Sequence, residues 1–140
     1  MKNLKYVLFA LLVVGLLGGW YAYSEYNRKP KDLSELKADV EIDAAVLIGA
    51  YSNDENAANQ LYLNKKLAVK GKIASIQKDD KGLYTISLGT DVDISSVSCE
   101  MDLRHNEDAA NLQVGNELVM KGICTGYLTD VVLNMCVVQK

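Results

Sequence analysis

Two segments, residues 67–78 and 118–124, share a pattern that few folds accommodate. Leu67-Ala-Val-Lys-Gly-Lys-Ile opens the first, and Leu118-Val-Met-Lys-Gly-Ile-Cys repeats the idea about fifty residues later. Apolar residues alternate with others in both, the mark of a strand with one buried face. Each also carries a Lys-Gly pair in mid-strand. A glycine inside a strand marks a bulge, a sharp bend or a close backbone approach. Two strands kinked alike in a short all-β unit predict a small, strongly curved barrel.

The flanking residues supply the other strands. In the first, Leu67, Val69 and Ile73 share one face, while Lys66, Lys70, Lys72 and Lys78 share the other. Asp79-Asp80-Lys81-Gly82 turns the chain back, with Gly82 suited to a positive φ. Residues 83–88 form a second strand with Tyr84, Ile86 and Leu88 inward. Residues 96–101 form a third, with Val97, Cys99 and Met101 aligned. Residues 106–112 read as one or two helical turns capped by Asn106, and residues 118–124 and 131–138 complete the set. Three strands, a short helix and two strands is the order of the OB-fold. Upstream, residues 42–61 read as two short helices. Asp43 caps one and Asn53 the other, and Asp54 and Glu55 lie in a first turn where negative charge suits the helix dipole.

The N-terminus is a different material. Residues 6–23 contain no charge, and a membrane-spanning helix needs about 20 mostly apolar residues, with a lower limit near 17. Trp20, Tyr21 and Tyr23 sit where aromatic belts meet headgroups. Lys2 and Lys5 precede the run; Arg28, Lys29 and Lys31 follow it, close enough to rest on anionic headgroups. An uncleaved anchor is the favoured reading. A cleaved signal peptide is the rival, although Ala22-Tyr23-Ser24 is a poor cleavage site. The flanking charges do not set orientation, but a short tail ahead of an apolar run favours a domain outside the cytoplasm.

The expected architecture is therefore mainly β: a five-stranded OB-fold barrel preceded by short helices and one N-terminal transmembrane helix. Residues 1–24 form the anchor, residues 25–41 a solvated juxtamembrane linker, and residues 42–140 the OB-fold domain. At 140 residues the chain has room for one such domain and an appendage.

Little in the sequence carries chemistry. No nucleophile-elbow, zinc-protease or phosphate-loop pattern occurs, and acidic pairs such as Asp79 with Asp80 or Asp91 with Asp93 fall in turns. No catalytic residue, cofactor or metal site is expected, and the chain reads as a non-enzyme. His105 is the one histidine, expected exposed and idle in a polar loop, and there is no CxxC. Cys99, Cys124 and Cys136 fall in three strands. Outside the cytoplasm a disulfide forms readily, and Cys124–Cys136 across the last hairpin is the candidate pair; three reduced core cysteines are the alternative. The lysines Lys66, Lys70, Lys72 and Lys78 are the candidate ligand-binding stripe, able to follow a phosphate backbone, with a solvated outer face as the plainer reading. Base-stacking rings are scarce: only Tyr84 and Tyr127 are at hand, and Tyr84 has inward parity. Beyond Lys5 the chain has 13 basic against 18 acidic residues, a balance of −5 that disfavours nucleic acid.

From residue 42 onward the chain resembles the tRNA-anticodon-like OB-fold family, small and mostly uncharacterised bacterial proteins that are often membrane-anchored or lipoproteins. The likeness rests on Tyr51-Ser-Asn-Asp-Glu with Ala57-Ala58, on residues 62–73, on Val97-Ser98-Cys99, and on residues 114–126 and 131–136. It implies the fold and little about activity. The functional expectation is a membrane-anchored binding module facing the periplasm or cell exterior. Its partner would be an envelope protein, a glycan or a small ligand, held by the barrel face or by loop residues 89–95. Two alternatives stand beside it: a nucleic-acid-binding OB domain on the cytoplasmic side, and a structural subunit of a membrane complex whose anchor packs through Gly15, Gly18 and Gly19.

Overall fold

The barrel closes on strand β2, Lys66–Lys78. The first half of β2 pairs antiparallel with β5 (Glu117–Tyr127) and its second half with β3 (Tyr84–Leu88). Strand β3 continues to β4 (Val97–Met101), β4 runs parallel to β6 (Val131–Val138), and β6 returns to β5. The ring is thus β2-β3-β4-β6-β5 and back to β2. That is the OB connectivity read from the element order. The computed structural model describes residues 2–27, 31–89 and 94–139, with side chains from residue 6. Arg28, Lys29, Pro30, the side chains of Lys2 and Lys5, and loop residues 90–93 with Asp91 and Asp93 lie outside the described set.

Both Lys-Gly pairs mark close approaches. A Cβ on Gly71 would lie 2.9 Å from Ala44 Cβ, and one on Gly122 would lie 2.5 Å from Cys136 Sγ. Only glycine leaves the room that neighbouring layers fill. Inside, Leu67, Val69, Ile73, Ile86, Leu88, Val97 and Leu133 are at most 1% exposed. The barrel end is plugged by α2 (Ala44–Asn53) followed by α3 (Glu55–Tyr62). Leu47 and Tyr51 of α2 enter the core. The Tyr51 ring stacks on Tyr127 at 5.5 Å and meets Tyr62 at 6.2 Å, while its hydroxyl lies 3.3 Å from Cys124 Sγ. Burial and the Cys124 contact push the Tyr51 phenol well above its ordinary pKa, so it stays protonated.

Local signals shift slightly from expectation. The α3 cap is Asp54, which accepts from Ala57 N–H at 3.0 Å, one residue after the expected Asn53. Asp43 precedes α2 in extended backbone but its side chain makes no cap bond. Asn106 heads a 3-10 turn, Asn106–Asn111, without capping it. Instead it accepts from Tyr84 N–H and donates to Gly82 C=O, both at 2.8 Å, clamping the β2–β3 hairpin to that turn.

The largest departure lies in residues 32–43, expected as solvated linker up to residue 41. The compact unit is Asp32–Lys140, so the expected boundary at residue 42 falls inside it. Val40–Asp43 forms a short strand, β1, parallel to β2. Residues 32–36 strap the outside of the barrel. Leu33 is buried at 2% exposure, and Lys121 donates to Leu36 C=O at 2.8 Å and Ser34 C=O at 3.5 Å. His105 is not idle: its Nε2 sits 2.8 Å from Asp32 Oδ2. The weak helical spacing of Leu33, Leu36 and Val40 predicts some helix here, but the segment forms turns and a strand instead, ordered by one buried leucine and a handful of hydrogen bonds.

The unit Met1–Lys31 holds helix α1, Lys2–Tyr26. Its 25 residues span about 37 Å, against a hydrocarbon core of about 30 Å. Tyr6–Tyr26 has a mean hydropathy of 1.8, so α1 is long and apolar enough to cross a membrane.

Candidate ligand face

Two outer surfaces compete as a binding site, and strand parity separates them. The expected lysine stripe does not survive intact. Ile73 faces Leu88 while Ser75 faces Ser87, so β2 carries one extra residue there. Such a bulge reverses the side of every residue beyond it. Lys78 consequently shares a face with Ile73 and Ile76 rather than with Lys66, Lys70 and Lys72. It faces Tyr84 across the hairpin and places Nζ 4.7 Å above that ring.

The other lysines are matched to acids. Lys66 Nζ lies 2.9 Å from Asp39 Oδ1, and Lys70 Nζ lies 3.6 Å from Glu117 Oε2. The Lys66 bond, with its backbone N–H bond alongside, holds the Asp39 carboxyl below its usual pKa. Lys72 stands opposite Glu117 in the β2–β5 register. Two carboxylates thus offset three lysines, and Lys70 and Lys72 share one of them, which is poor footing for a phosphate backbone. The whole Asp32–Lys140 unit carries 17 acidic against 10 basic residues, a balance of −7.

The second surface is the outside of β3 and β4 with the end of β2. Directly opposed residues in antiparallel strands project to the same side. Ser75 faces Ser87, Gln77 faces Thr85, Thr85 faces Glu100, and Ser87 faces Ser98. The alternate residues Ile86, Leu88, Val97 and Cys99 are all inward and buried. The outer face is therefore a patch of hydroxyls with one amide, Gln77, and one carboxylate, Glu100. None of its described residues is aromatic or basic. OB barrels use this face, together with the adjoining loops, for oligonucleotides and oligosaccharides. The loops at its edge are pinned: Asp130 accepts from Ser96 N–H at 2.6 Å and from Ser96 Oγ at 2.9 Å. Loop residues 89–95, expected to take part, contain the undescribed residues 90–93.

Both candidate stacking rings are spent internally. Tyr84 turns toward the core as its parity predicts, and Tyr127 stacks on Tyr51. The cysteines are likewise interior. All three are free thiols, Cys124 stands opposite Leu133 rather than Cys136, and Cys136 lies within hydrogen-bond reach of Cys99. Burial, then that neighbour, pushes the Cys136 thiol well above its usual pKa. Among the described residues no cluster of His, Cys, Asp or Glu has the makings of a metal site. The hydroxyl face leaves little trace in the sequence because serine and threonine at alternate strand positions look like ordinary solvated filler. Their only signal is the period of two shared by residues 85–87 and 98–100.

Closed OB barrel, helical plug and one N-terminal apolar helix define the class: a small OB-fold protein with a helix suited to a membrane. The chain belongs to the tRNA_anti-like family, whose model matches residues 1–137. Among solved structures it is similar to a provisionally assigned nucleic acid-binding lipoprotein from Klebsiella pneumoniae subsp. pneumoniae MGH 78578. That likeness has a TM-score of 0.60 at 17% identity, over 80% of this chain and 100% of the other, and it shows the shared fold. No curated protein matches the chain.

Proposed function

We propose that this protein is a membrane-anchored, non-enzymatic binding module whose OB barrel stands outside the cytoplasm and holds an envelope glycan on the β3–β4 face. One observation carries the reading: the face that OB barrels use is lined by Ser75, Gln77, Thr85, Ser87, Ser98 and Glu100. Hydroxyl, amide and carboxylate groups match the hydroxyls of a sugar, which both donate and accept. Single-stranded nucleic acid asks for the opposite equipment, a cationic groove and exposed rings. Helix α1 supplies the anchor, and its apolar length supports that role. The rival reading, a nucleic-acid binder, draws on the designation of the Klebsiella structure; the −7 balance of the barrel unit opposes it.

The test is a titration of the Asp32–Lys140 unit with a labelled single-stranded oligonucleotide at low salt, beside a panel of neutral oligosaccharides. Saturable glycan binding that weakens in Ser87→Ala and Glu100→Gln is expected, with no oligonucleotide binding. Oligonucleotide binding that falls steeply with salt would sink the proposal. A reporter fused after Lys140, active on one side of the membrane only, checks sidedness separately.

A further inference from the structure

The hydroxyl face does not end at β4. Ser87 faces Ser98, Ser98 faces Val132, and Val132 faces Gly126. That row of partners runs into a cavity of about 470 Å³ between α3 and the β5–β6 hairpin. Its size falls within the roughly 300–1,000 Å³ range of small-ligand pockets. Leu63, Leu128 and Val132 form apolar walls, and Glu55 and Asn59 are among its polar lining residues. No lysine, arginine or histidine lines it, so an anionic ligand would meet a carboxylate and no counter-charge.

Two details show what the cavity lacks. Asn59 Oδ1 is a buried acceptor with no donor, a state that is costly to maintain. The terminal torsion of an asparagine is soft, so this amide can turn its oxygen toward a ligand. Leu128 is 87% exposed at the cavity rim. Two other cavities differ: of about 300 Å³ and 220 Å³, they are lined by Lys70 and Lys121, which already have partners in Glu117 and in the strap carbonyls. The cavity beside α3 calls for hydrogen-bond donors, a positive charge and an apolar C–H surface in one small body.

We propose that the sugar unit entering this cavity is an amino sugar, its ammonium donating to Glu55 and Asn59 while its C–H face rests on Leu63 and Leu128. This rests on the glycan reading above and specifies it. The two succeed or fail separately in an experiment on the full chain in detergent micelles. Three β1,4-linked tetramers differ only at C2: cellotetraose has a hydroxyl, tetra-glucosamine an ammonium, and its N-acetylated form an amide. Calorimetry is expected to rank the glucosamine tetramer about tenfold tighter than cellotetraose, the value of one charged hydrogen bond. Glu55→Gln should remove that advantage, whereas Glu107→Gln, exposed in the 3-10 turn, should not. Equal affinity for all three tetramers overturns the amino-sugar assignment and leaves the glycan reading intact. Equal loss in the two variants overturns it as well, because bulk negative charge would then explain the preference. Binding of none of the three overturns both.

Discussion

The outside of this barrel has two unlike halves. Around β5 and the first half of β2, the chain covers its own surface: Leu33 is buried there, Lys121 is tied to the strap carbonyls, and Lys66 and Lys70 are paired with acids. Across β3 and β4 the hydroxyl residues Ser75, Thr85, Ser87 and Ser98 are half-buried, and Gln77 and Glu100 are exposed. The same curved sheet thus carries one face whose polar groups are satisfied internally and one whose polar groups are offered outward. Buried or paired polar groups contribute to stability, while an unpartnered polar face is where a ligand can gain. Lys66 and Lys70, which would draw attention in a barrel named for tRNA-like binding, lie on the covered half.

That contrast can be broken by mutation. The largest effect is expected on the covered half, where Leu33→Ala should lower the stability of the Asp32–Lys140 unit by about 2–5 kcal/mol, the usual cost of emptying a buried leucine site. Urea unfolding followed by circular dichroism measures it. A change within noise would mean that the strap is not part of the folded unit.

Next comes Lys121→Met, which keeps the apolar stem and removes the donor to Leu36 C=O. A loss of about 1–3 kcal/mol in the same assay is expected, because a carbonyl is left unfilled. No loss would show that water replaces the ammonium at no cost.

Acid should act through the same half. Arg104 holds the Asp102 carboxyl below its usual pKa, Lys66 does so for Asp39, and hydrogen bonds from Ser34 and His105 do so for Asp32. A folded-state pKa below the unfolded value of about 3.9 adds stability above that value and loses it as pH falls through the folded one. Thermal melts should therefore be level from pH 7 to about 5 and drop below about 4. Asp102→Asn should flatten the acid limb and lower stability at pH 7; an unchanged limb would count against the Arg104 pairing as its source.

The smallest effect on stability belongs to the bare half. Thr85→Ala and Ser87→Ala should shift unfolding by no more than about 0.5 kcal/mol, as for surface sites without special contacts. The same variants should weaken glycan binding. A large stability loss with unchanged binding would reverse the roles assigned to the two halves.

Much of this is legible in the sequence. The alternation of residues 67–78 and 118–124, the mid-strand glycines, the inward parity of Tyr84 and the order of elements all follow from local rules of strands and turns. So does the helix α1, since a charge-free run has one solution in lipid. The candidate site was less legible. Strict alternation carried through Ile73 to Ser75 places all four lysines on one face, and the bulge shows only in the odd spacing of the inward pair Ile73 and Ile76, which looks the same as a single apolar residue on an outer face. The contacts of His105 and of the strap leave no local signal because the partners are distant in sequence: Asp32 is 73 residues from His105, and Lys121 is 87 residues from Ser34.

By itself, then, the sequence determined that the chain is an apolar helix followed by an OB barrel, because strand period, turn residues and glycine steric needs act over a few neighbours. Which outer half is covered, which lysines are spent on acids and where an acceptor is left without a donor were decided only by the tertiary structure. Those outcomes depend on register and on contacts between segments tens of residues apart, where one inserted residue exchanges the two faces of a strand.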